Sequence, residues 1–185
     1  MLVNWPGSQT YKTIELAGTR RMARGWQFSA SYTATKQVVP FGDGQALNPN
    51  SEINTALDTW EKTGKIAGAY VLPFSIVPSF DYEFRSGAPQ ARQVQFTGGQ
   101  TIRSIVLNVE PLGSIHLPNT HLSNVRLTKR FAFGGEKMLE ARFDFFNVFN
   151  ANFVTSRNLR SGTTYLLPSA IILPRILQVG ASYRF

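Results

Sequence analysis

Residues 121–146, HLSNVRLTKRFAFGGEKMLEARFDFF, decide the fold class. Downstream of the two glycines, Leu139, Ala141, Phe143 and Phe145 alternate with Glu140, Arg142, Asp144 and Phe146. Upstream, Val125, Leu127, Lys129 and Phe131 alternate with Arg126, Thr128 and Arg130. A period of two sustained on both sides of a turn signal marks two antiparallel strands, each with one apolar and one polar face. Gly134, Gly135 and Glu136 make a three-residue hairpin loop, in which Gly135 suits a left-handed position. Opposed residue numbers then sum to 270, which sets Phe131 against Leu139, Leu127 against Phe143 and Val125 against Phe145. On the polar face the same register sets Arg130 against Glu140, Arg126 against Asp144, and Thr128 against Arg142 between them. A two-residue Gly-Gly loop would slip the pairing by one and face apolar side chains with charges throughout.

The period of two recurs along the chain. In WQFSASYTAT, Trp26, Phe28, Ala30, Tyr32 and Ala34 alternate with Gln27, Ser29, Ser31, Thr33 and Thr35. In SFDYEFR, Phe80, Tyr82 and Phe84 alternate with Asp81, Glu83 and Arg85. The last nine residues, LQVGASYRF, place Leu177, Val179, Ala181, Tyr183 and Phe185 on one side and Gln178, Gly180, Ser182 and Arg184 on the other. YKTIELAGTR, GKIAGAYVL and the upstream half of the opening stretch complete about seven strands. Only SEINTALDTW has a helical spacing, with Ile53, Leu57 and Trp60 on one face behind Ser51 as a cap. It is expected to be a loop ornament.

The connections alternate in length. MAR (22–24), LPFSI (72–76) and GGE (134–136) are short, while Gly-, Pro- and Asn-rich stretches separate the remaining strands. Antiparallel strands joined in this way put every short turn at one end, the asymmetry of transmembrane β-barrels. A soluble sandwich would show the same alternation. Aromatic residues near strand ends on the apolar side (Trp26, Tyr32, Tyr183, Phe185), as in interfacial girdles, charges at mid-strand on the polar side (Asp81, Glu83, Arg85) and strands long enough for a tilted crossing favour the barrel. Lys129 stands on the apolar side, where a Lys at mid-depth costs about 2–4 kcal/mol but little near an interface. Its place near the GGE turn lets the amine reach water.

Other classes are poorly served. With no cysteine there is neither a disulfide framework nor a thiolate metal site. No run of about 18 apolar residues supplies a transmembrane helix. The net charge of +8 is scattered, and its densest runs, TRRMAR and RLTKR, lie beside turns, so no nucleic-acid partner is expected. His116 and His121 are five apart and would point to opposite faces of a strand, so no metal or other cofactor is expected. Asp81, Glu83, Glu140 and Asp144 stand beside arginines, as rungs of a charge ladder rather than as a catalytic carboxylate pair. GDGQAL and TGGQT lack the spacing of a phosphate loop, and no serine sits in a nucleophile elbow. The chain is not expected to be an enzyme.

The terminal QVGASYRF, with Gln178, Gly180, Tyr183 and Phe185, resembles the signal by which the barrel-assembly machinery recognises outer-membrane barrels. LTKRFAFGGEKMLEARFDFFNVFNANF is similar to the end of TonB-dependent receptor barrels, including an aromatic–Asn–aliphatic–Phe–Asn run at Phe146–Asn150. GWQFSASYTATK, GAYVLPFSIVPSF, YEFRSGAPQAR and ILPRILQVGASYRF resemble hairpins of the Oar-like receptors, which carry a carboxypeptidase-regulatory-like domain at their N-terminus. The resemblance covers nearly the whole of residues 1–185. It implies an all-β, antiparallel up-and-down segment of a transmembrane barrel in the cell outer membrane of a Gram-negative-type envelope, of about seven or eight strands and not closed, embedded in outer-membrane lipid. The eight charged residues Asp81, Glu83, Arg85, Arg126, Arg130, Glu140, Arg142 and Asp144 would then face the lumen. A complete receptor has a signal peptide, a TonB box, a plug and about 22 strands. The chain is therefore expected to be the C-terminal portion of such a barrel without its plug, touching TonB only through a missing N-terminal region. The implied function is energy-coupled uptake of a bulky nutrient. Two alternatives stay open: a complete small outer-membrane barrel, and a soluble β-sandwich for binding or adhesion.

Overall fold

The computed structural model describes residues 8–40 and 52–185. Seven long strands form one antiparallel sheet: β1 (Thr10–Ala23), β2 (Trp26–Val39), β3 (Leu57–Tyr70), β4 (Ile76–Arg85), β9 (Thr120–Ala132), β10 (Met138–Phe146) and β13 (Ile176–Arg184). They lie side by side in chain order, so the sheet is an up-and-down meander without a Greek-key crossover. It is open, with β1 and β13 as its edges. The remaining strands belong to the long connections. They are β5 (Pro89–Gln90) paired with β8 (Ile115–His116), β6 (Gln93–Thr97) with β7 (Ser104–Asn108), and β11 (Val154–Arg157) with β12 (Pro168–Ile171). The described residues contain no α-helix.

The β9–β10 register is the one expected: Phe131 opposes Leu139, Arg130 opposes Glu140, and Arg126 opposes Asp144. Phe133 N–H donates to the Lys137 carbonyl at 3.1 Å and closes a three-residue loop. Gly134 (φ 89°) and Gly135 (φ 62°) both occupy the left-handed region, which costs glycine nothing. The other two short connections differ slightly from expectation. The first turn is Arg24–Gly25 rather than 22–24, with positive φ at both residues as a tight two-residue hairpin requires. The second is a 3-10 turn at Pro73–Ser75, closed by Leu72 N–H donating to the Ile76 carbonyl at 2.8 Å. All three turns lie at one end of the sheet, and the long connections at the other.

The helical reading of SEINTALDTW is overturned. Leu57 and Trp60 belong to β3, opposed to Val39 and Lys36 of β2, and Ile53 precedes the strand. Ser51 and GDGQAL lie outside the described residues. Fourteen ladder pairs with β2 outweigh a weak local helical spacing.

The sheet has almost no interior. Among the described residues only Ala34 and Ala91 are buried apolar residues, and no large side chain is fully buried. A β-sandwich derives its core from the inner faces of two stacked sheets. Here the short two-stranded sheets sit in the connections, and none packs across the seven-stranded one.

Candidate functional site

One face of the sheet is predominantly apolar, with its cationic side chains towards the two ends of the strands. A single transverse row runs Arg20–Phe28–Gly68–Phe80–Val125–Phe145–Leu177, crossing all seven strands. The row beside it contains Leu127, Phe143 and Val179. These side chains pack laterally yet stay open outward; Phe80 is 47% exposed and Leu177 57%. Gly68 leaves room for the Phe80 ring, since a Cβ there would lie 2.9 Å from Phe80 Cε1 and the ring would have to shift. At the short-turn end the face becomes amphipathic. The Arg20 guanidinium lies 3.8 Å above the Trp26 ring, and the Lys129 amine donates to the Phe74 carbonyl while lying 5.4 Å from the centre of the Phe131 ring. Lys129 thus reaches the neighbouring 73–75 turn rather than the glycine turn of its own hairpin. Tyr32, expected near a strand end, stands in the middle of β2.

The opposite face carries the charge ladder. Alternation within β4, β9 and β10 puts Asp81, Glu83, Arg85, Arg126, Arg130, Glu140, Arg142 and Asp144 on this side. Most are partnered there: Arg126 donates to Asp144, Arg130 Nε to Glu140 Oε2 at 2.9 Å, Arg85 to Glu83 at 2.9 Å, and Asn124 Nδ2 to Asp81 Oδ2 at 2.8 Å. Arg142 lies between Thr128 and Gly180, and a Cβ on Gly180 would stand 3.7 Å from its guanidinium nitrogens. A shallow groove of about 190 Å³ runs among Ser79, Asp81, Asn124, Arg126 and Asp144. Ion-paired and hydrogen-bonded carboxylates of this kind form a wetted, charged surface. No trio of His, Asp or Glu among the described residues is placed to hold a metal ion. The two histidines are apart in role. His121 Nδ1 is 2.7 Å from the Tyr82 hydroxyl and its ring lies against Phe84, whereas the His116 carbonyl accepts from Arg157.

The four residues of the terminal motif divide between the faces. Gln178 opposes Asp144 and Gly180 opposes Arg142 on the polar side, while Tyr183 opposes Leu139 on the apolar side. Phe185 lies past the end of β13, 91% exposed, with its ring stacked 6.2 Å from Tyr183.

Reading from the residues alone misses what Asn147 does. It is 4% exposed and left-handed (φ 50°), a conformation Asn tolerates better than most residues. Its amide nitrogen donates to the carbonyls of Ala151 and Leu173, and its Oδ1 accepts from Ala151 N–H, each within 2.9 Å. Its own N–H donates to Asn124 Oδ1 at 3.0 Å. Asn150 Oδ1 accepts from Arg175 N–H at 3.0 Å. The two asparagines of the Phe146–Asn150 run therefore tie the end of β10 to the approach into β13. The buried amide has every hydrogen-bonding atom engaged, as burial demands.

The long connections are also joined to one another. Gln93 bridges to 159–161 through Gln93 N–H to the Leu159 carbonyl (2.8 Å) and Ser161 N–H to the Gln93 carbonyl (2.7 Å). Asn54 and Asn108 exchange amide-to-carbonyl bonds of 3.0 and 3.2 Å. Arg157 reaches Gln90 and the His116 carbonyl. A layer of connected loops thus lies at one end of the sheet. No family model, curated protein or solved structure matches the chain.

Proposed function

We propose that the chain is a wall segment of a membrane-spanning β-barrel, its apolar face toward lipid and its charge ladder toward a water-filled lumen. One observation carries this: a seven-stranded sheet whose apolar face runs uncovered across every strand while the other face holds paired charges. Soluble monomers rarely expose contiguous apolar patches beyond a few hundred Å². A bilayer is the environment in which such a face loses no free energy to water, and closure with further strands would satisfy both free edges. The soluble sandwich fits less well, since among the described residues no second sheet covers the face.

Within that class, we propose an outer-membrane TonB-dependent receptor whose barrel admits a bulky nutrient. Its support is the order of the hairpin motifs, the meander with all short turns at one end, and the asparagine-pinned Phe146–Asn150 run. Flotation tests the membrane part: the refolded chain should rise with phosphatidylcholine vesicles, resist carbonate extraction and be monodisperse only in detergent. A monodisperse, detergent-free monomer would refute it. The receptor part predicts that the genomic sequence upstream of Met1 encodes more alternating strands and a plug; a ribosome-binding site immediately upstream of Met1 would refute it.

A further inference from the structure

Towards its loop end the apolar face changes chemistry. Lys12 of β1 stands directly opposite Lys36 of β2, and Lys62 of β3 stands opposite Ala34, all on the apolar side. Like charges set directly opposite destabilise a sheet, so such a pair needs a compensating anion. Asp58 supplies part of it, 3.0 Å from Lys36, with 63% of its own side chain exposed. Neither Lys12 nor Lys62 has an acidic partner among the described residues. Trp60, opposite Lys36 and 43% exposed, stands beside the lysines as an aromatic at a membrane interface would.

A second feature adjoins them. Gly18, Ala30 and Gly64 leave a trough of about 520 Å³ in the apolar face, walled by Leu16, Tyr32 and Phe84. Gly64 follows Lys62 by two residues on the same side of β3, so the trough opens beside the Lys62 side chain, about 7 Å along the strand.

We propose that this corner binds a phosphate-bearing lipid, its phosphate on Lys12, Lys36 and Lys62 and an acyl chain along the trough. The inference rests on the membrane reading. A free phosphate would use the lysines but leave the trough empty, whereas a lipid uses both, and basic residues at a membrane surface attract anionic headgroups.

The test reconstitutes the whole chain in phosphatidylcholine vesicles doped with phosphatidic acid, extracts it in mild detergent and counts the lipids it retains. Phosphatidic acid should be enriched over phosphatidylcholine by about a hundredfold, each of the three lysines contributing roughly fivefold. The K12Q/K36Q/K62Q variant should lose the enrichment, K12R/K36R/K62R should keep it, and K137Q, exposed beside the glycine turn at the other end of the sheet, should not alter it. Inorganic phosphate in excess should fail to displace the lipid. Equal retention of both lipids, an unchanged Gln variant or full displacement by phosphate would each overturn the lipid site. A chain that fails to float with undoped vesicles would overturn the membrane reading, and the site with it.

Discussion

The two faces of the seven-stranded sheet differ in what their side chains do for one another. On the apolar face, residues such as Phe80, Phe143 and Val179 touch laterally but leave much of their surface open, and nothing among the described residues covers them. On the polar face, Arg126, Asp144, Arg130 and Glu140 find partners across the strands. The polar face is therefore complete in water and the apolar face is not. Burying one large aliphatic or aromatic side chain is worth about 1.5–3 kcal/mol, so a face of this extent left wet forgoes far more than the charge pairs return. The difference points to two environments on the two sides of one sheet.

Neighbouring substitutions sharpen that contrast. Ala30 and Ser31 are adjacent on β2 and point to opposite faces. In vesicles, Ala30→Arg is expected to cost about 2–4 kcal/mol and Ser31→Arg close to nothing. Chemical unfolding of the two reconstituted variants measures this, and equal losses would break the distinction between the faces. Next in size is the tie at the loop end of β10. Asn147→Ala removes an amide that satisfies two carbonyls and is expected to cost about 1–3 kcal/mol. The 147–175 connection should become the first site of limited proteolysis.

Smaller again is the polar-face pair Arg130–Glu140. A double-mutant cycle should give a coupling of about 0.2–1 kcal/mol, the range for opposed charges on a sheet. Zero coupling would question the register there. Deleting Phe185, which lies beyond the β13 ladder, should leave the equilibrium stability of the reconstituted chain unchanged. In a full-length parent it should slow assembly at the membrane, and the change in surface level with synthesis held constant measures that effect. Unchanged surface levels would reduce Tyr183 and Phe185 to ordinary edge aromatics.

The sheet was readable from local pattern because its determinants are local. A period of two and a Gly-Gly-Glu loop specify the β9–β10 register without reference to the rest of the chain. The start of β3 was not readable in this way. In LDTWEKTGK both sides of the strand are polar or mixed, because that end carries Asp58 and Lys62 on the otherwise apolar side. Without a clean alternation, the spacing of Ile53, Leu57 and Trp60 imitated a helix. The β6–β7 hairpin did carry a signal, with Val94 and Phe96 opposing Leu107 and Ile105 around TGGQT. The loop layer otherwise rests on backbone and amide hydrogen bonds between distant residues, such as Asn54 with Asn108, which leave no periodic trace. The charge ladder was legible as a face; its pairing came with the register. The lysines at the loop end were not, since their convergence depends on the β1–β2–β3 pairing.

The central claim is that lipid meets one face and water the other, and the lack of native cysteine permits a direct measurement. Single cysteines at residues 27 to 33 of β2, spin-labelled in phosphatidylcholine vesicles, report accessibility to oxygen, which favours lipid, and to a polar nickel complex, which favours water. The expected result is two curves of period two in antiphase: oxygen maxima at Phe28, Ala30 and Tyr32, nickel maxima at Gln27, Ser29, Ser31 and Thr33. Curves that rise and fall together, or that show no period of two, would contradict the account.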